Sequence, residues 1–174
     1  VVARNHAYYN GRTHTADLDF QNNYRGIARH DLIWGLGYRL IRDENEDTLY
    51  HQFDPQKRTD HLFSGFIQDE IELYQDAFYL TLGSKFEHND YTGFELQPSA
   101  RFAWLIGQDH TLWGAVSRAV RTPNRFSDDT TLRIAAQMVP VPGFTEVKGD
   151  RSFESEELIT YELGYRVRPY DRIS

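Results

Sequence analysis

Four basic residues lie at or within one long stretch, residues 122–154, that shows no clear alternation of apolar and polar side chains. They are Arg121, Arg125, Arg133 and Lys148. An arginine guanidinium presents a planar fork of N–H donors that suits oxygen-rich anions, so these residues predict a cationic rim for an anionic ligand. The alternative is ordinary solvated loop charge, which nearby carboxylates would neutralise: Asp128, Asp129, Glu146 and Asp150.

Two aromatic residues in a shorter connection, residues 88–96, add a second way to hold a ligand. Tyr91 and Phe94 could stack on a flat ligand surface, because aromatic rings bury a large apolar area with a defined geometry. Packing within a lid or a membrane-interface belt is the competing interpretation. The predicted ligand-binding residues are therefore Arg121, Arg125, Arg133, Tyr91 and Phe94.

No arrangement of residues indicates catalysis, a metal or a cofactor. His51, Asp54 and His61 share one region, but their spacing fits no standard zinc pattern. A carboxylate pair for glycoside hydrolysis could be drawn from Asp69, Glu70 and Glu72, although these lie beside a tight turn. Ser117 lacks the Gly-x-Ser-x-Gly elbow, and there is no Gly-rich phosphate loop. The sequence predicts a protein that is not an enzyme.

The elements that would carry these residues are long strands with alternating faces. In residues 111–123, Trp113, Ala115 and Ser117 alternate with Leu112 and Gly114 before Pro123 ends the pattern, as expected because proline has no N–H for a sheet ladder. Similar alternation predicts strands at 13–23, 31–42, 59–73, 78–87, 97–105 and 155–168. A helix is the competing prediction for residues 68–73, and Asn10-Gly11 predicts a turn.

The connections alternate in length along the chain. Short turns are predicted near residues 24–30, 74–77, 106–110 and 169–172, and longer connections at 43–58, 88–96 and 122–154. In an up-and-down meander this alternation places the turns at one edge and the loops at the other, which is typical of outer-membrane barrels. A soluble antiparallel sheet with one wet face gives the same pattern, but strands of roughly 9 to 11 residues favour the membrane.

The composition of the chain excludes several classes of protein. The chain has 174 residues, a formal charge of -7 and no cysteine, which excludes disulfides and thiolate chemistry and argues against a general nucleic-acid binder. No apolar run approaches the ~18 residues of a membrane-spanning helix. Aromatic residues make up 14% of the chain, and its 11 Tyr and 3 Trp belong to the types favoured where apolar and wet environments meet. Both ends look like cuts, so a fragment is expected.

Four motifs give the chain a resemblance to TonB-dependent outer-membrane receptors. They occur in family order: Phe66-Ile-Gln-Asp-Glu-Ile71, Leu80-Thr-Leu-Gly-Ser-Lys-Phe-Glu-His88, Ser117-Arg-Ala-Val-Arg-Thr-Pro123 and Phe153-Glu-Ser-Glu-Glu-Leu-Ile-Thr-Tyr-Glu-Leu-Gly-Tyr165. The resemblance covers roughly residues 13–172 and implies an all-β, antiparallel arc of a barrel of about 22 strands. Residues 1–174 would then be a partial barrel domain without a plug, a TonB box or a terminal aromatic assembly signal.

The resemblance also implies a function, which is active import of a scarce nutrient in the bacterial outer membrane. The ligand would be a ferric siderophore, haem or cobalamin. Haem is the less favoured of these, because residues 122–154 contain no histidine. Partners would be the rest of the barrel, the plug, the TonB complex acting through the plug, and outer-membrane lipid. Two alternatives remain at this stage: a small closed barrel that binds an apolar ligand inside, and an outer-membrane barrel enzyme.

Overall fold

A computed structural model describes residues 10–136 and 143–168. The elements are β1 (Asn10–Tyr24), β2 (His30–Glu46), β3 (His51–Phe53), β4 (Lys57–Tyr74), β5 (Phe78–Asn89), β6 (Gly93–Ile106), β7 (His110–Arg121), α1 (Arg125–Asp129), β8 (Thr130–Ala136), β9 (Gly143–Lys148) and β10 (Glu156–Val167). Seven strands form one antiparallel sheet in the order β1-β2-β4-β5-β6-β7-β10, and β3-β8-β9 form a second, small sheet. Among the described residues, no helix is long and apolar enough to cross a membrane.

The register of the large sheet separates two faces across all seven strands. Leu18 pairs with Tyr38, which pairs with Phe63, and Asp17 pairs with Arg39 on the opposite side of the pleat. Because partners directly across a ladder share a face, apolar side chains collect on one side, here termed the apolar face. It includes Leu18, Phe20, Leu36, Phe63, Leu82, Phe86, Leu96, Val116, Tyr161 and Leu163. The other side is termed the polar face.

The apolar face lies open rather than packed in a core. Leu18 is 71% exposed, Leu163 is 76% exposed, and Phe53 is the only buried hydrophobic residue in the described part of the chain. Within the same residues the sheet is open, with β1 and β10 at its edges. This contradicts the alternative of a small closed barrel, whose apolar side chains would be covered inside it.

Turns and loops occupy opposite edges of the sheet. Residues 25–29, 75–77 and 107–109 connect strands at one edge, the turn rim, and residues 47–56, 90–92 and 122–155 connect them at the other, the loop rim. The left-handed backbone of Arg29, Asp76 and Gly107 makes the turn-rim connections tight. The predicted separation of turns and loops is therefore confirmed for the connections described; the turn expected at residues 169–172 lies outside the described residues.

Several strands run further than their apolar stretches predict, while β10 closely matches the predicted 155–168. Asn10 and Gly11 belong to β1 rather than to a turn, β2 continues to Glu46, and residues 68–73 belong to β4 rather than to a helix. The reason is that the ladder continues through polar pairs such as Asp43 with Arg58 and Glu44 with Lys57.

Two predicted loops were also wrong in form. The connection expected at 88–96 has only three residues, 90–92, because Asn89 and Gly93 already pair in the ladder. Residues 122–154, expected to lack a pattern, contain α1, β8 and β9.

Candidate ligand-binding rim

The long connection between β7 and β10 is folded against the loop rim. Asn124 caps α1, since its side-chain oxygen accepts a hydrogen bond from the Ser127 backbone N–H at 3.1 Å. β8 then pairs with β3, which belongs to the connection between β2 and β4. Two separate loops of the meander are thus joined in one small sheet, which gives the rim a defined shape.

Asp129 lies at the centre of this structure. Its side chain is 0% exposed and its carboxylate meets three arginines. Arg58 Nη1 donates to Oδ2 at 2.8 Å, Arg151 Nε donates to Oδ1 at 3.0 Å, and Arg125 Nε lies 3.9 Å from Oδ2. Burying a carboxylate is costly unless it is paired and hydrogen-bonded, and these three arginines come from β4, α1 and the segment before β10. Through Asp129, these ion pairs link the long connection between β7 and β10 to strand β4 of the large sheet.

Arg58 also organises the neighbouring hairpin. Its Nε donates to Asp60 Oδ1 at 2.5 Å, and its guanidinium lies 4.3 Å from the centre of the Tyr91 ring. Tyr91 Oη donates to Asp60 Oδ2 at 2.7 Å. Burial alone lowers the pKa of Arg58, but the hydrogen bond to Asp129 and the charge of Asp60 raise it above its ordinary value. Burial and the bond to Asp60 likewise raise the pKa of Tyr91. Both groups keep their protons at neutral pH.

Asp128 and Arg125 complete the buried cluster in different ways. Burial raises the pKa of the Asp128 carboxyl, and its contact with Arg58 at 3.4 Å only partly opposes this. Arg125 is 6% exposed; it donates to the carbonyl of Pro55, and its Nη1 lies 3.7 Å from Asp43 Oδ2. Its guanidinium also covers the Phe53 ring at 5.0 Å. Arg125 thus makes its contacts inside the rim.

Two adjoining cavities open beside this cluster. The first is about 320 Å³ and is lined by Arg121, Thr122, Pro123, Asn124, Ser127, Phe153, Glu154 and Glu156. The second is about 370 Å³ and is lined by Tyr91, Thr92, Glu95, Phe153, Glu154, Ser155 and Glu157. Phe153 and Glu154 line both. A third cavity of about 380 Å³ lies on the β8–β9 side, lined by Asp54, Asp128, Asp129, Thr130, Thr131, Lys148, Gly149, Asp150 and Arg151.

The structure brings together only some of the predicted ligand-binding residues. Arg121 and Tyr91 line the two adjoining cavities. Arg125 is buried in the cluster, and Arg133 lies on β8, where it pairs with Glu146 at 2.9 Å. Phe94 lies on the apolar face and is 65% exposed. Their binding role remains a prediction.

Several residues that shape the site were not singled out from the sequence. Arg58, Asp60, Arg151 and Phe153 all touch the cluster or the cavities. Arg58 and Asp60 had a readable signal, because charged residues two apart near the start of a strand share a face. Arg151 and Phe153 had none, since their positions depend on how a long connection folds back.

The other candidates from the sequence do not form a shared site. His51 Nε2 lies 2.7 Å from the Thr130 hydroxyl, whereas His61 Nδ1 lies 3.0 Å from Tyr38 Oη on the apolar face. No group of three or more His, Cys, Asp or Glu in the described ranges has a metal-binding arrangement. Asp69 Oδ2 lies 2.6 Å from His30 Nδ1. Asp69 and Glu70 lie on opposite faces of the sheet, so their carboxylates do not converge.

The family model for the β-barrel of TonB-dependent receptor-like proteins matches residues 2–174. The chain belongs to this family. TonB-dependent receptors are outer-membrane transport receptors rather than enzymes, so at the level of the family this chain is part of a receptor wall. The comparison with curated protein sequences found no significant match.

Solved structures with the same fold include three receptors. The siderophore receptor PirA from Pseudomonas aeruginosa superposes with a TM-score of 0.79 at 19% identity, covering 94% of this chain and 31% of that one. PirA from Acinetobacter baumannii gives 0.72 at 18% identity, covering 91% and 25%. A G324V mutant of the ferric enterobactin receptor PfeA from P. aeruginosa gives 0.71 at 21% identity, covering 94% and 25%. The chain therefore spans about a quarter to a third of the receptors that it matches.

Proposed function

We propose that this chain is a section of the barrel wall of a TonB-dependent receptor that binds and imports a ferric siderophore across the bacterial outer membrane. The observation that carries the proposal is the division of the sheet. All described turns lie at one rim, all described loops lie at the other, and a bare apolar face lies between them. This division fits a wall with lipid on one side, a lumen on the other and ligand-gathering loops outside.

The proposal gives each part of the chain a partner. The apolar face contacts outer-membrane lipid, and the polar face contacts water and an N-terminal plug. The edge strands β1 and β10 pair with the remainder of the barrel, because unpaired edges otherwise invite association. Energy comes from the TonB complex acting through the plug. The fold neighbours support the ligand class, since they are named as siderophore and ferric enterobactin receptors.

The proposed ligand contacts lie at the loop rim. Arg121 and Tyr91, with Phe153 between their cavities, form the part of the predicted set that the structure brings together. Arg125, Arg133 and Phe94 support the same rim from its interior, from β8 and from the outer surface. The Arg121 fork can hold chelate oxygens, while Phe153 and Tyr91 offer aromatic surface.

The test uses the full-length receptor that contains this chain. The hairpin of β8 and β9, residues 130–148, is replaced by a short Gly-Ser linker. We expect uptake of radiolabelled ferric siderophore to fall to background, because most of the small sheet of the loop rim is removed. The barrel should still insert into membranes. Replacing turn residues 75–77 is the matched control and should leave uptake unchanged. Uptake by the unmodified receptor that persists without the TonB complex would contradict the proposal.

A further inference from the structure

The three cavities described above share one electrostatic character. A fourth cavity at the loop rim, about 230 Å³ in volume, differs from them, because its charged lining residues balance: Arg12 and Lys57 against Glu44 and Glu46. The first contains Arg121 as its only basic lining residue, against Glu154 and Glu156. The second has no basic lining residue and three carboxylates, Glu95, Glu154 and Glu157, while the third has four aspartates against Lys148 and Arg151. Among their lining residues, all three cavities therefore have more carboxylates than cations. Two of these carboxylates have partners outside the lining: Glu157 pairs with Arg118, and Asp129 pairs with Arg58 and Arg125.

The cations at the rim are already matched by carboxylates. Arg121 Nη1 lies 3.5 Å from Glu156 Oε2, and Lys148 Nζ lies 3.3 Å from Glu146 Oε2. Arg151 and Arg58 both pair with Asp129. An incoming anion would have to compete with these pairs, and it would leave a carboxylate without its cation. The predicted rim cations are therefore present, but carboxylates of the same rim already pair with them.

The same sign continues along the polar face below the rim. By register its acidic residues outnumber its basic ones. The acidic set is Asp17, Asp19, Asp31, Asp43, Asp60, Glu70, Glu72, Glu87, Glu95, Glu156 and Glu162, and the basic set is Arg39, Arg58, Lys85, Arg101, Arg121 and Arg166. A surface of one sign concentrates ligands of the other sign and repels ligands of its own.

This charge pattern distinguishes between classes of iron chelate. Ferric iron held by three catecholate dianions has a net charge of minus three, whereas three hydroxamate monoanions leave no net charge. Resting on the function proposed above, we infer that the loop-rim cavities favour an uncharged or cationic ferric chelate over a trianionic one. Glu154 and Glu156 set this specificity, because they line the same cavity as Arg121. Arg121 donates to chelate oxygens while Glu156 balances its charge.

The test compares two chelates built on one tripodal scaffold, a ferric tris-hydroxamate and a ferric tris-catecholate. Binding to the purified full-length receptor in nonionic detergent is followed by tryptophan fluorescence. We expect the neutral chelate to bind at least about tenfold more tightly at low salt, and the preference to shrink as salt screens the carboxylates. The double variant Glu154→Gln/Glu156→Gln should tighten tris-catecholate binding roughly tenfold and change tris-hydroxamate binding less than about twofold.

The matched control removes two carboxylates from the polar face away from the cavities, in Glu70→Gln/Glu162→Gln. It should leave the ratio of the two affinities unchanged. Equal or tighter binding of the tris-catecholate by the unmodified receptor would overturn the inference, as would a ratio that moves equally in both double variants. Those results would not contradict the proposed siderophore-receptor function. Binding of neither chelate would contradict both that function and the inferred charge specificity.

Discussion

The carboxylate of Asp129 is fully enclosed and lies within reach of Arg58, Arg125 and Arg151. Removing one partner from a buried ion pair costs far more than the pair itself contributes, because the remaining charges lose their compensation. Asp129 therefore has a structural role, because three cations depend on its charge. Next to it, Asp128 carries the same charge but gains less from its surroundings, since burial disfavours its ionised form.

The first prediction compares these two neighbours in the full-length receptor. Asp129→Asn should lower the free energy of opening of the rim by about 3 kcal/mol, whereas Asp128→Asn should change it by less than about 1 kcal/mol. Hydrogen exchange at the amides of Asp54 and Gly149 reports this opening, because both bond to carbonyls at the α1–β8 junction. Exchange there should be roughly 100-fold faster in Asp129→Asn. Similar exchange rates in the two variants would refute the distinction.

The second prediction concerns the pH dependence of Asp128. Its carboxyl has a raised pKa in the folded rim, so it favours folding at low pH and loses that contribution as pH rises from the unfolded value of 3.8 through the folded one. Asparagine has no such dependence. The stability of Asp128→Asn relative to the unmodified rim should therefore increase over that interval and level off above it. Exchange measured across this pH range checks the sign, and a relative stability that decreases with pH would contradict it.

At the scale of elements, the β5–β6 hairpin links the wall to the cluster. Asn89 is 5% exposed, and its Oδ1 accepts hydrogen bonds from the backbone N–H groups of Tyr91 and Thr92, each at 2.9 Å. These bonds place the Tyr91 side chain where it meets Asp60 and Arg58. The short turn thus places Tyr91 in the cavity that it shares with Phe153 and Glu154 of the long connection.

The third prediction follows from this turn. Asn89→Ala removes an acceptor and should destabilise the hairpin by about 1 to 2 kcal/mol, because two backbone donors lose their partner. Asn89→Asp keeps the acceptor oxygen and should retain most of that stability. Exchange of the Tyr91 and Thr92 amides is the measurement. If the Ala and Asp variants exchange at equal rates, the acceptor is not what holds the turn.

The strands of this fold could be predicted from the sequence, while the rim could not. Alternation identified the seven long strands, because a period of two is imposed by the pleat itself. Some strands, such as β2 and β5, extend beyond their predicted ends, since pairs such as Asp43 with Arg58 continue the ladder in charged residues that resemble a loop.

The rim depends on contacts between residues far apart in the chain. Arg58 and Asp129 are separated by 71 positions. β8 pairs with β3 across a similar distance, at Leu132 with His51. No local pattern encodes such contacts, so Arg121 and Tyr91 could be named as site residues while Arg151 and Phe153 could not.

At the scale of the whole molecule, the two faces of the sheet imply two different solvents. Side chains that are bare in this section, such as Leu163 and Tyr161, contact lipid in the proposed receptor wall. Leu163 and Thr160 lie on the same strand, β10, and on opposite faces. They offer a direct comparison of the two environments within one element.

The fourth prediction uses this pair in the full-length receptor. Leu163→Lys places a charge on the apolar face and should destabilise folding into lipid bilayers by roughly 2 to 4 kcal/mol, the cost of a lysine near the middle of the membrane. Thr160→Lys places the same charge on the polar face and should cost less than about 1 kcal/mol. Urea titration of folding into phosphatidylcholine vesicles measures both. Equal tolerance of the two lysines would mean that both faces meet water, and the membrane placement of this wall would then fail together with the transport function built on it.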